Sequence, residues 1–163
     1  MATPGLLASA VQSWADFYGH HQWVSVTVRY LHLGGLLVGG GTALAADRQV
    51  LMAKRSEPSA RSAAIATIDG SHRVVVPALA VVVMSGLLMT ASDAGTFFGS
   101  RLYWTKMGLV GLLLLNGVGL LAAERSVAAE RPKGWQWLCA TSAASLVLWF
   151  SILLAGVWLT VAA

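Results

Sequence analysis

Four apolar stretches separated by polar segments dominate the pattern of the chain. They cover approximately residues 24–46, 74–91, 102–123 and 135–161. Each is long enough to cross the about 30 Å hydrocarbon core of a bilayer as a helix, which satisfies its own backbone hydrogen bonds there. The pattern therefore predicts an all-α integral membrane protein whose residues 23–163 form a bundle of four antiparallel transmembrane helices.

Residues 1–22 have a different pattern. Their larger apolar side chains recur near helical spacing among Ser, Gln and Asp16: Leu6, Leu7, Val11, Trp14, Phe17 and Tyr18. This spacing predicts a short amphipathic helix on the membrane surface. The basic start and small-residue cleavage site of a secretory signal are lacking, so we expect the N-terminus to be retained.

The segments between the spans are polar. Residues 53–73 contain Pro58 and Gly70 and predict a loop, residues 92–101 a short turn, and residues 124–134 a second loop. Pro77 is expected in the first turn of the second span, where its missing N–H costs little.

Composition supports a membrane protein. The chain is 56% hydrophobic and 11% charged, with a mean hydropathy of +0.68, which is too apolar for a soluble domain of this size. Its net charge of +4 comes without any nucleic-acid-binding motif, so nucleic acid is excluded as a partner. Cys139 is the one cysteine, which excludes an internal disulfide and a multi-cysteine metal centre.

The basic residues predict the orientation. Eight of them lie in the segments after the first and third spans: Arg48, Lys54, Arg55, Arg61, Arg73, Arg125, Arg131 and Lys133. The opposite side has little more than Arg101. Positive charge stays in the cytoplasm, so we expect both termini on the periplasmic side of a bacterial inner membrane.

The first span carries two ionisable residues, Arg29 and His32, on one helical face. Gly35, Gly39 and Ala43 continue that face. Polar groups must avoid lipid and small residues let helices approach closely, so this face should point into the bundle.

A cluster of polar residues is predicted in the outer half of the membrane. Its members come from several segments: His20, His21, Arg29, His32, Asp93, Arg101 and Lys106. One interpretation is mutual neutralisation, with Asp93 pairing Arg29 or Lys106. The other is a ligand site open to the outer face, built around Arg29, His32 and Lys106.

Imidazole and thioether groups on that side suit copper, with His20, His21, His32 and Met89 as candidate ligands. Haem b is the alternative cofactor. The third and fourth spans contain no histidine, so a second axial ligand for a haem on His32 would come from His20, His21, Met89 or another protein.

Three further residues have structural interpretations. His72 is expected near the headgroups, and Cys139 in the packed core. Asn116 needs a hydrogen-bond partner inside the bilayer, for which Ser145, Ser151 and Thr42 are candidates.

Three runs resemble the membrane domain of the copper-resistance protein D family: VRYLHLGGLLVGGG in the first span, SGLLMTA ending the second, and FFGSRLYWTKMGLVGLLLLNGVGLL in the third. The similarity covers Val28 to Glu124. It implies a four-helix fold, copper uptake or export across the inner membrane, and His32 and Lys106 as the matching positions.

Three functions follow as hypotheses. The first is a membrane protein of the copper-resistance D type that holds copper, another metal or a polar small molecule at the outer site. The second is a non-catalytic accessory subunit, in a homo-oligomer or a larger membrane redox or photosynthetic complex. The third is a redox protein that binds haem b or a quinone. No hydrolase, P-loop or dinucleotide motif is present, so any enzymatic role would be redox chemistry.

Overall fold

The computed structural model describes residues 5–53 and 57–162, which are helical apart from short connections and contain no strand. The elements are α1 (Leu6–His20), α2 (Gln22–Gly35), a π-helical turn (Leu36–Gly40), α3 (Gly41–Ala53), α4 (Pro58–Ser92), α5 (Ala94–Gly99), α6 (Arg101–Ala128) and α7 (Gly134–Ala162). The predicted all-α class is confirmed.

Within the described residues, three helices are long and apolar enough to cross a membrane: α4, α6 and α7. The predicted first span lies in α2, the π turn and α3. The backbone stays in the right-handed helical region at both junctions, Leu36 and Gly41, so residues 22–53 form one helical rod.

Small and apolar residues from four helices fill one end of the bundle. Val50 of α3 and Ile68 of α4 are almost completely buried there, together with Ala123 of α6 and Leu138 of α7. Cys139 belongs to the same cluster, as expected for a core residue. Many large apolar side chains are exposed on the outer faces of the helices, among them Leu37, Leu115 and Val161.

The loop predicted for residues 53–73 is wrong from Pro58 onwards, because α4 begins there. Pro58 occupies the first turn, where a proline is readily accepted. Ala64, Ile68 and Ser71 are buried at helical spacing, and α3 packs against this part of α4. A segment too polar to cross a membrane can therefore still form a helix with one packed face.

The position predicted for Pro77 is also wrong. It lies well inside α4 instead of in a first turn. A proline there removes one backbone donor, but Pro77 is exposed on the outer side of the helix, where its ring does not disturb the packed face.

The turn predicted for residues 92–101 contains α5. Asp93 caps this helix by accepting a hydrogen bond from the Thr96 N–H at 3.3 Å, and Ser100 caps α6. Asp93 forms no ion pair with Arg29 or Lys106, and the structure describes all three residues. The expected neutralisation of the cluster by Asp93 is therefore absent.

The predicted N-terminal amphipathic helix is present as α1. Its apolar face packs on the bundle, where Trp14 and Tyr18 contact a cluster that includes Val24, Val28 and Met89. This helix is thus an integral part of the fold.

Candidate functional site

His32 lies in the last turn of α2 and faces α4. Its Nδ1 is 3.0 Å from the carbonyl oxygen of Val82 and 3.0 Å from Ser85 Oγ. A backbone carbonyl can only accept, so we assign the ring proton to Nδ1. In the neutral imidazole Nε2 then carries a free lone pair, which can accept a proton or bind a metal.

Glycines allow α2 to approach α4 closely enough for this contact. A Cβ atom built on Gly86 would lie 3.3 Å from His32 Cε1, and one built on Gly39 would lie 2.9 Å from the Cβ of Ala78. On Gly35 it would meet Val82 Cγ2 at 2.8 Å. The prediction that Gly35 and Gly39 face into the bundle is confirmed.

The π turn follows the end of α2 at Gly35 and contains two buried glycines, Gly39 and Gly40. Gly40 faces α7, where an added Cβ would lie 3.3 Å from the ring of Trp149. A π turn shifts the register of the faces on either side of it and is frequent at functional sites. Sequence reasoning missed it, although the glycine-rich run was a signal of unusual helix packing.

Lys106, in the second turn of α6, is the charged neighbour of His32. It is half-buried, and a Cβ atom built on Gly156 of α7 would lie 3.6 Å from Lys106 Nζ. None of the described residues forms a hydrogen bond or an ion pair with this ammonium group. Lys106 of α6 is therefore close enough to His32 of α2 for its charge to act on the imidazole, and Gly156 of α7 leaves room for the cation.

Arg29 is exposed, and no interaction ties it to this pair. His20 and His21 bind their own helix, with Nδ1 atoms 2.7 Å and 2.9 Å from the carbonyl oxygens of Asp16 and Phe17. Met89 is packed under α1. The predicted site thus reduces to His32 and Lys106 in the described structure.

The four proposed copper ligands do not form a ready-made site. Across the part of the chain that the structure describes, no three His, Cys, Asp or Glu side chains are grouped so that they could hold a metal ion. His20, His21 and His32 therefore do not converge. The involvement of copper, like that of haem b, stays a prediction.

Sequence reasoning missed Asp47. Asp47 directly follows the apolar residues of the first predicted span, yet only 2% of it is exposed. Its carboxyl group faces the hydroxyl groups of Ser142 and Ser145 on α7. No local sequence signal separates this residue from its exposed neighbour Arg48.

Two polar contacts join α6 to its neighbours. His72 Nε2 of α4 is 3.1 Å from Glu124 Oε1, so this histidine has a specific partner beyond its expected interfacial position. Asn116 donates to the carbonyl oxygen of Thr141 at 3.0 Å. The three hydroxyl partners expected for Asn116 were wrong, but the predicted role in holding helices together is confirmed.

The fold and the site define a helical protein with three helices that could cross a membrane and a histidine–lysine pair between helices. The chain belongs to a family of unknown function, DUF6644, which matches residues 11–162. Comparisons with curated proteins and with solved structures gave no match.

Proposed function

We propose that the protein is a bacterial inner-membrane protein that binds a quinone between α2, α4 and α6, with His32 and Lys106 contacting the head group. In this proposal, the rod formed by α2, the π turn and α3 is the fourth transmembrane crossing, and both termini face the periplasm. Two features support the topology: the unbroken helical backbone of residues 22–53 and the basic residues of the segments after the first and third spans.

One observation carries the proposal. A ring nitrogen that can accept a hydrogen bond lies near an ammonium group that can donate one. His32 Nδ1 is engaged by Val82, which leaves Nε2 available, and Lys106 has no partner among the described residues. A quinone carbonyl would accept from Lys106, and a hydroxyl of the reduced form would donate to Nε2. An apolar tail would lie in the lipid beside the helices.

The positive charge of Lys106 argues against a bare copper ion bound to His32. An ammonium beside the imidazole repels a metal cation, and no further imidazole or carboxylate compensates within the described residues. A ligand that presents oxygen to Lys106 meets no such penalty.

Haem b is the second candidate, and the His32–Val82 contact favours it. Histidines that bind metals commonly donate their other ring N–H to a carbonyl group. Nε2 of His32 could then hold the iron, and Lys106 could pair with a propionate. The second axial ligand would have to come from another protein.

The accessory-subunit hypothesis has support from a separate surface. An apolar groove between α6 and α7 contains the small residues Gly119, Ala143 and Ala144 beside Asn116 and four larger apolar side chains. Small residues of this kind permit close contact with a further transmembrane helix.

The proposal is tested by titrating the detergent-solubilised protein with ubiquinone-1 and following the quenching of tryptophan fluorescence. His32→Asn keeps a donor near the position of Nδ1 but removes Nε2, whereas His32→Gln can place a polar group near Nε2. We expect His32→Asn and Lys106→Met each to weaken binding about tenfold, the effect of losing one good hydrogen bond. His32→Gln should weaken it less.

His20→Asn and Arg29→Gln are the matched controls, because neither residue contacts the pair, and both should bind as the wild type does. An absorption spectrum and elemental analysis of the same preparations separate the alternatives. A Soret band that disappears in His32→Asn would identify haem as the ligand in place of a quinone. Stoichiometric copper that is lost in the same variant would identify copper as the ligand. Absence of all three ligands, with stable association with larger subunits, would favour the accessory role.

A further inference from the structure

The buried carboxyl group of Asp47 is unusual for its surroundings. Asp47 lies on α3 between Ala46 and Val50 of the densely packed end of the bundle. No Lys, Arg or His among the described residues forms an ion pair with it. A carboxylate in a largely apolar interior is costly, so its charge must be neutralised there, either by a proton or by a bound cation.

Two serines of α7 face this carboxyl group. Ser142 and Ser145 are one helical turn apart, and both are buried. The buried hydroxyl groups of Ser71, Ser85 and Thr141 donate to carbonyl oxygens of their own helices. Ser142 Oγ has no partner with proper hydrogen-bond geometry, although its residue is completely buried. Its lone pairs are therefore available beside the carboxyl group.

We infer that Asp47, Ser142 and Ser145 bind a monovalent cation, Na⁺, between α3 and α7. The donor set consists of oxygen atoms, which hard cations prefer over nitrogen or sulfur ligands. Its single negative charge is neutralised by one positive charge, whereas a divalent ion would leave a net charge buried.

This site is separate from the His32 and Lys106 pair in residues and in chemistry. It uses the opposite part of the long helical rod, beyond the π turn. Its occupancy would tie α3 to α7, and Na⁺ would act as a bound structural or transported ion. The inference thus goes beyond quinone binding and does not depend on it.

Thermal unfolding of the detergent-solubilised full chain tests the inference. NaCl is titrated against choline chloride and against KCl at constant ionic strength, with circular dichroism as the readout. We expect Tm to rise with Na⁺ and to level off, as binding to the folded state requires. Asp47→Asn should abolish the Na⁺ dependence, and Ser142→Ala should raise the Na⁺ concentration at half-effect at least tenfold.

Asp69→Asn and Ser151→Ala are matched controls, since Asp69 is exposed and Ser151 donates to its own helix. Both should keep the wild-type Na⁺ response. If Asp47→Asn does not fold, equilibrium dialysis of the wild type and of Ser142→Ala with radioactive Na⁺ gives the same comparison. A Tm independent of Na⁺, an equal effect of K⁺, or a response to pH alone would overturn the assignment.

Discussion

The indole N–H of Trp14 donates to the carbonyl oxygen of Leu88 across 2.8 Å and thereby joins α1 to α4. Leu88 lies near the end of α4, close to the cluster in which Tyr18, Val24 and Val28 are buried. The N-terminal helix is therefore fixed by a specific hydrogen bond as well as by apolar contact.

Replacing Trp14 with Phe should loosen α1. The aromatic ring is largely retained, whereas the hydrogen bond to Leu88 is lost, at a cost of about 1 kcal/mol. Hydrogen exchange measured by mass spectrometry should become faster in α1 and stay unchanged in α6. Trp23→Phe is the control, because Trp23 is 68% exposed. Equal protection of α1 in the wild type and in Trp14→Phe would contradict the prediction.

Gly39→Ala should destabilise the contact between the helical rod and α4. The new methyl group would lie 2.9 Å from the Cβ of Ala78, which cannot rotate away, so the helices must separate slightly. Overpacking of this kind costs about 1–3 kcal/mol. Thermal unfolding followed by a thiol-reactive dye on the buried Cys139 would measure the loss.

Gly41→Ala provides the comparison for Gly39→Ala. No atom lies within 4 Å of a Cβ built on Gly41, and alanine favours the helix over glycine by up to about 1 kcal/mol. We expect Tm to stay the same or to rise. A similar loss of Tm in both variants would mean that helix packing at Gly39 does not limit stability.

The sequence predicted the helix boundaries best where an apolar stretch and a helix begin or end at the same residues. The predicted span 135–161 corresponds to α7, and the start of the span 102–123 to the start of α6. The loop predicted for residues 124–134 is wrong at its beginning, because α6 continues through polar residues to Ala128. The start of α4 was missed because a search for apolar stretches finds only the apolar part of a helix, and the first turns of α4 are polar. The periodic burial of Ala64 and Ile68 shows that amphipathic spacing was the relevant signal.

Part of the candidate site could be predicted because intramembrane charges must avoid lipid. That argument identified His32 and Lys106, which lie close enough for the charge of Lys106 to act on the imidazole. It failed for Arg29, since residues three apart still differ in direction and the exposed fraction depends on how the helix is rotated. It failed for Asp47 as well, because the serines that face it come from a segment almost a hundred residues away.

Asn116→Leu should weaken the contact between α6 and α7. The variant keeps the size of the side chain but cannot donate to the carbonyl oxygen of Thr141. Hydrogen bonds between membrane helices contribute about 0.6 kcal/mol on average, so we expect a small but measurable fall in stability. Ser151→Ala, which removes only a bond within α7, should have a smaller effect. A reversed order of the two variants would contradict this role of Asn116.

The contact between His72 and Glu124 should contribute a measurable coupling between α4 and α6. His72 Nε2 lies 3.1 Å and 3.4 Å from the two carboxylate oxygens, and the side chains are 28% and 16% exposed. Partial burial limits screening by salt. The interaction free energy of the pair should therefore exceed that of a typical surface ion pair and reach about 1 kcal/mol.

A double-mutant cycle with His72→Ala and Glu124→Ala isolates this term from the other effects of each substitution. Unfolding free energies are measured in mixed micelles with increasing denaturant. Glu124→Gln retains an oxygen acceptor without the charge and should lose less than Glu124→Ala does. If the two single substitutions are additive within about 0.3 kcal/mol, His72 and Glu124 are neighbours without energetic coupling, and α4 and α6 depend on apolar packing alone.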